Sequence, residues 1–225
     1  MERVDLNNNQ IWARLTIAFL WLQMFYSLVA IFIYYSLYSL IAEQSIGFGY
    51  SQPHHILESK LLEMEFPLSI LTILFFLTWF WRTYANFHVL HPEKATFGKI
   101  WAIVGWFLPF LNFYIPFVIM REIWLENQED DENFINEKRY RWVIWWWAFF
   151  VMQFVFPVMT TILYENSTEG IATLKMVYFT FICKYFFIMV SASLAIMLVF
   201  KINQSEQKLR KEQEGLDIYD HLVDK

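Results

Sequence analysis

The stretch Thr78–Trp124 reads TWFWRTYANFHVLHPEKATFGKIWAIVGWFLPFLNFYIPFVIMREIW, and its reading decides the fold. It opens as an apolar helix that carries Arg82 and Asn86 inward, then stops at His91-Pro92, a helix-ending pair. It resumes at Ile100 as a run of 21 uncharged residues between Lys99 and Arg121. Such a run meets the ~20 residues needed to cross a hydrocarbon core ~30 Å thick. Its interior argues otherwise. Pro109 and Pro116 each remove a backbone donor and disfavour continuous helix, and Asn112 lies between them. Broken backbone at membrane depth is tolerated only where protein or a wet cavity satisfies it. The segment 98–126 is therefore expected to re-enter: one half-helix to about Phe107, a turn through Pro109 to Asn112, and a second half-helix to Glu126. The alternative is a fifth span.

Outward from this stretch the chain is dominated by apolar runs. Hydrophobic residues make up 57% of the 225, which leaves no segment able to bury a soluble core once the runs are set aside. Spans are expected at about 11–42, 66–90, 142–164 and 171–200. The fold class is all-α: a polytopic helical membrane protein with four spanning helices plus the Pro-broken segment. Residues 1–203 form a single transmembrane helical domain on this reading, and 204–225 a polar, cytosolic tail that reads as a helix. Residues 1–10 are polar and expected to be mobile. Residues 43–65, with Gly47, Gly49, Ser51 and Pro53, read as a loop. The acidic run from Glu126 to Glu132 reads as solvated. No signal peptide is apparent, and the single cysteine, Cys183, leaves the compartment unread.

Aromatic residues mark the edges of the spans. Tyr34, Tyr35 and Tyr38 lie towards the far end of the first, and Trp142, Trp145, Trp146 and Trp147 follow Lys138, Arg139 and Arg141 at the start of the third. With four spans and the N-terminus inside, 13 Lys/Arg lie on the inner side and 2 on the outer. Letting 100–120 span changes the split to ten against five with the N-terminus outside. Positive charge prefers the cytoplasmic side, so the four-span topology with both termini cytoplasmic fits better.

Several side chains could carry chemistry. Thr78, Arg82 and Asn86 fall at i, i+4 and i+8 and would form one stripe on a helix. Ionisable residues within spans point to function by default, and Arg82 and Lys184 are the two here. Each also has a plainer account. Arg82 could snorkel to the surface or pair with Glu122, with Asn86 and Asn112 completing the hydrogen bonds. Lys184 could snorkel or pair within the bundle. Gln23 is expected to bond across helices. His54, His55 and Glu58 could share a helical face with metal-ligand spacing, but a solvated loop is the more ordinary reading. His88 and His91 lack a third ligand. Asn166-Ser167-Thr168 matches a glycosylation acceptor by a pattern common by chance. There is no basic patch with interleaved aromatics, no HExxH and no GxSxG, so no nucleic-acid partner, metal, cofactor or catalytic residue is expected.

The spacing TWFWRTYAN followed by WAIVGWFLPFLNFYIPFVIMREIW resembles the bacterial membrane proteins of the Domain of Unknown Function 4328 family. The resemblance rests on Trp79, Arg82 and Asn86, then on Trp106, Phe107, Pro109, Asn112, Pro116, Met120, Arg121, Glu122 and Trp124, with Trp145 to Trp147 beyond. It implies a bacterial cell inner membrane and no particular reaction. The candidate residues, structural or ligand-binding, are therefore Trp79, Arg82, Asn86, Trp106, Pro109, Asn112, Pro116, Glu122 and Lys184. The expected role is a non-enzymatic scaffold or sensor in the lipid bilayer, with room for a protein partner or homo-oligomer. The alternative is a small transporter with a cytosol-side polar site around Arg82.

Overall fold

The computed structural model describes residues 6–43, 53–126, 140–166 and 171–223. Among these the secondary structure is entirely helical: α1 (Gln10–Glu43), α2 (Pro53–Leu90), α3 (Trp101–Val104), a 3-10 turn (Leu111–Phe113), α4 (Ile115–Glu126), α5 (Arg141–Asn166) and α6 (Ile171–Val223). Among the described residues, four helices are long and apolar enough to cross a membrane: Gln10–Ile41, Leu57–Leu90, Arg141–Leu163 and Ile171–Gln213.

Two boundaries differ from the sequence reading. The expected loop 43–65 is largely helix, because α2 starts at Pro53. Proline suits a first helical turn, where its missing N–H is not needed, and good helix formers follow it. The expected tail from 204 is not a separate element. Its Gln-, Lys- and Glu-rich sequence continues α6, whose 53 residues make one helix roughly 80 Å long.

The chain packs as two compact units, and each long helix contributes residues to both. One unit comprises Phe19–Ile73 and Trp145–Ala195. Its core is aromatic. Tyr26, Ala30, Tyr34 and Leu37 recur along one face of α1 and pack with Leu61 of α2 and Tyr178, Tyr185 and Ile188 of α6. Tyr34 stacks on Phe181 and Tyr185 at centroid distances of 4.8 and 5.8 Å. The tyrosines expected at the interface therefore split: Tyr34 is core, whereas Tyr35 is exposed. The tryptophans split likewise, with Trp142 and Trp145 exposed and Trp146 buried. Gln23 is buried with Oε1 lacking a partner, so the expected cross-helix bond from that oxygen is not made.

The other unit comprises Met1–Ala18, Leu74–Ile144 and Ile196–Lys225. Within it the run 100–120 is broken between α3 and α4. The first arm is shorter than expected, a single turn, α3. Gly105 ends it, and a Cβ there would sit 2.7 Å from Ile115 Cγ2, so only glycine lets the start of α4 approach this closely. Pro109 lies in the turn. Pro116 does not break anything: it occupies the first turn of α4. Phe110 holds φ 65°, a left-handed conformation that is strained for a bulky side chain, and is 86% exposed.

Candidate functional site

The polar residues of α2 divide between two sides of that helix. Trp79, Thr83 and Asn86, at i, i+4 and i+7, form a buried edge towards the N-terminal segment and α6. Tyr84 and His88, at i and i+4, face the connection after α2, and Tyr84 also reaches Glu122 in the second half of α4. Residues 82 and 84 point roughly 200° apart, at 3.6 residues per turn.

On the first edge, Asn86 grips the backbone of Asn7 twice. Its Oδ1 accepts from the Asn7 N–H at 2.9 Å, and its Nδ2 donates to the Asn7 carbonyl at 3.1 Å. Only a carboxamide carries a donor and an acceptor in this fork. The second Nδ2 hydrogen reaches Glu206 Oε1 of α6 at 3.3 Å. Asn9 Nδ2 donates to the Trp79 carbonyl at 3.3 Å and to Thr83 Oγ1. The Asn9 carbonyl accepts from Ala13 N–H at 3.0 Å, which makes Asn9 the N-cap of α1, and Asn8 Oδ1 accepts from Gln10 N–H at 3.2 Å. Arg82 Nη2 donates to the Asn8 carbonyl at 3.1 Å, and its guanidinium also acts electrostatically on Glu206. Residues 6–9 are thus not the mobile polar leader expected. Three consecutive asparagines tie the start of α1 to α2, and Asn86 ties α2 to α6. A polar cavity of about 120 Å³ opens beside them, lined by Asn8, Asn203, Glu206, Gln207 and Lys211 among others.

On the second side, the Tyr84 hydroxyl accepts from the Phe97 N–H at 3.2 Å and faces two acceptors, the Phe97 carbonyl at 2.9 Å and Glu122 Oε2 at 3.1 Å. His88 Nε2 is 2.9 Å from the same Phe97 carbonyl, to which a protonated nitrogen donates. Thr96 N–H donates to Glu122 Oε2 at 3.4 Å. Lys94 pairs with Glu126 at 2.7 Å, with His91 Nδ1 3.6 Å from the same carboxylate, so Glu126 is not simply solvated. Residues 127–132 of that acidic run lie outside the described residues. A second cavity of about 200 Å³ lies here, lined by Phe87, Lys94, Arg121, Glu122, Leu125, Glu126 and Tyr140.

The expected Arg82–Glu122 pair is therefore not formed. Arg82 bonds the N-terminal segment, and Glu122 bonds Tyr84 and Thr96, because those α2 residues leave the helix on different sides. Asn112 joins neither: its backbone N–H bonds the Leu108 carbonyl at 2.9 Å and its Oδ1 is buried without a partner. Thr78 bonds its own helix at Leu74, so the polar stripe runs through Thr83 instead. Trp79 is fully buried, and Trp106 packs edge-on to Phe76 and Phe80 at 5.7 and 5.8 Å.

Lys184 belongs to the other unit and pairs within it. Its Nζ is 2.6 Å from Glu65 Oε1, and Tyr185 donates to Glu65 Oε2 at 2.8 Å. The ammonium also lies 4.8 Å from the Tyr185 ring centroid. His54 and His55 lie in the first turn of α2, and their side chains fall outside those described. Ser167 and Thr168 of the acceptor pattern are also outside the described residues.

The sequence reading missed Asn7, Asn8, Asn9, Thr83, Tyr84, Glu65 and Glu206. Two signals were available: asparagine immediately before a long apolar run is an N-cap pattern, and Tyr84/His88 has helical spacing. Searches of curated proteins and of solved structures each found no match. Residues 61–204, well over half of the chain, match the model of the family described as Domain of unknown function (DUF4328), and the protein belongs to that family.

Proposed function

We propose that this protein is a non-enzymatic module of the bacterial cell inner membrane that scaffolds or senses, with both termini and the 91–140 segment on the cytoplasmic side. One observation carries the reading. The polar groups at the candidate site bond other parts of the chain, and Asn86 uses its oxygen and both amide hydrogens this way. Such groups join elements instead of acting on a substrate. The topology is supported by the gathering of the N-terminal segment, the end of α2, the 91–140 segment and the end of α6 in one unit, which matches the side given 13 Lys/Arg. On this reading the broken segment dips into the inner leaflet. Phe107, Phe110, Leu111, Phe113 and Tyr114 are all exposed around the turn, and lipid would cover them.

Cysteine labelling of intact cells tests the topology in a Cys183→Ala background. Ser51→Cys and Ser167→Cys should label from outside, and Lys208→Cys should label only after permeabilisation. Labelling of Lys208→Cys from outside would reverse the assignment. The polar cavity beside the Arg82 cluster favours a second reading, a small transporter. A liposome flux assay separates the two: the scaffold or sensor produces no protein-dependent uptake, and the transporter does.

A further inference from the structure

We infer that the cavity between the end of α2 and α4 is a binding site for a zwitterion that carries a phosphate and a primary ammonium, the chemistry of a phosphoethanolamine headgroup. The lining selects it by charge. Lys94 and Arg121 bring two positive charges, and Glu122 and Glu126 two negative ones. Such a lining disfavours a net anion or a net cation and suits a ligand that holds one charge of each sign. Part of the set is already used. Lys94 and Glu126 pair at 2.7 Å, and Glu122 Oε2 takes the Tyr84 hydroxyl and the Thr96 N–H. What is left is one donor group and one acceptor. Arg121 Nε and Glu122 Oε1 are both buried, and neither has a hydrogen-bond partner among the described residues. Consecutive residues leave a helix about 100° apart, so these two line the cavity without facing each other.

A ligand that answers both groups relieves the cost of leaving them unmatched. A guanidinium binds phosphate through parallel N–H donors. The carboxylate oxygen needs an N–H or O–H donor, which a primary ammonium has and a quaternary one lacks. Phe87 and Leu125 give an apolar wall for the two-carbon link between the charges. A volume of about 200 Å³ fits a headgroup, below the ~300–1,000 Å³ of sites for drug-sized ligands. Depth points to lipid as the source. Phe87 lies in the last turn of α2, and Tyr140, also in the lining, immediately precedes Arg141, the first residue of α5. Headgroups lie at such a boundary when the helices span. The inference rests on the proposed spans for this depth alone, and not on the scaffold role.

The test uses the full chain in a neutral detergent and follows binding of four probes: dihexanoyl phosphatidylethanolamine, dihexanoyl phosphatidylcholine, dihexanoyl phosphatidylglycerol and free phosphoethanolamine. Phosphatidylethanolamine should bind at least about tenfold more tightly than either other lipid, because choline lacks the ammonium N–H and glycerol lacks the cation. This selectivity is read on the parent chain and needs no variant. Neither carboxylate of the lining pairs with Arg121, so Arg121→Gln should melt as the parent does without lipid. It should lose about tenfold in phosphatidylethanolamine affinity. Free phosphoethanolamine binding as tightly as the lipid would uphold the ligand chemistry and assign a soluble source. Phosphatidylcholine or phosphatidylglycerol binding as tightly as phosphatidylethanolamine, or an unchanged affinity in Arg121→Gln, would overturn the site. Failure of the spans would appear in the labelling experiment, independently of this titration.

Discussion

The two units each hold a polar joint, half-buried at Lys184 and buried at Asn86, and they do so by opposite means. In the unit containing Lys184, a full positive and a full negative charge meet, Lys184 with Glu65, and Tyr185 supplies a further donor. In the unit containing Asn86, neutral carboxamides grip backbone, and Arg82 and Glu206 bond into the same cluster. The difference teaches which joints tolerate loss. An ion pair is an all-or-none arrangement, since either partner alone is an uncompensated charge. A carboxamide joint is made of several bonds of ordinary strength, each worth about 0.5–1.5 kcal/mol net.

That contrast can be broken at its strong end first. Glu65→Ala leaves Lys184 without its carboxylate and should destabilise the protein by about 3–5 kcal/mol, as should Lys184→Ala. The double variant should be far less damaged than the sum of the two. Melting in detergent, read as a double-mutant cycle, checks this. Additive losses would show that the pair is solvated and not a joint.

A smaller effect is expected at Asn86. Asn86→Ala strips the Asn7 N–H, the Asn7 carbonyl and Glu206 Oε1 of their shared partner, and should cost about 2–3 kcal/mol. Asn86→Asp sharpens the point. It keeps an acceptor for the Asn7 N–H but loses both donors and places a second carboxylate beside Glu206. It should therefore melt no higher than Asn86→Ala near neutral pH. Amide exchange at Asn7 should accelerate in Asn86→Ala, which removes the acceptor of its N–H. Full retention of stability in Asn86→Asp would show that the donor half of the grip is not needed.

The smallest effect concerns Arg82 and Glu122. Because they bond different partners on different sides of α2, the losses from Arg82→Ala and Glu122→Ala should add to within ~0.5 kcal/mol. A larger coupling measured by the same cycle would restore the direct pair.

How much of this was legible in the sequence follows from the same contrast. Long apolar runs revealed all four long helices, because length and hydropathy are properties of a segment alone. Pro109 announced the break for the same local reason, although the single-turn length of α3 depended on Gly105 meeting Ile115. Lys184 stood out as a charge in a span, and pairing within the bundle was foreseen, but Glu65 was not identified because Pro53 to Glu65 read as loop. The partners that Asn7–Asn9 take were illegible for a different reason. A carboxamide that bonds backbone looks, in sequence, like any solvent-facing polar residue. Arg82 and Glu122 misled because depth along a helix was considered without azimuth. One position shift, from Arg82 to Thr83, moves the buried stripe.

The Tyr84 hydroxyl has a consequence of its own. It holds one hydrogen and faces two acceptors, the Phe97 carbonyl and Glu122 Oε2, while its oxygen takes the Phe97 N–H. The hydrogen can satisfy only one acceptor at a time, so the junction has two states. This is redundancy by degeneracy. If Glu122 swings away, the hydrogen settles on Phe97 and the connection after α2 stays tethered. If the Phe97 carbonyl turns to His88, the hydrogen settles on Glu122 and α4 stays tethered. The junction keeps one of its two attachments through either disturbance, and the local entropy of choosing between them is retained in the folded state.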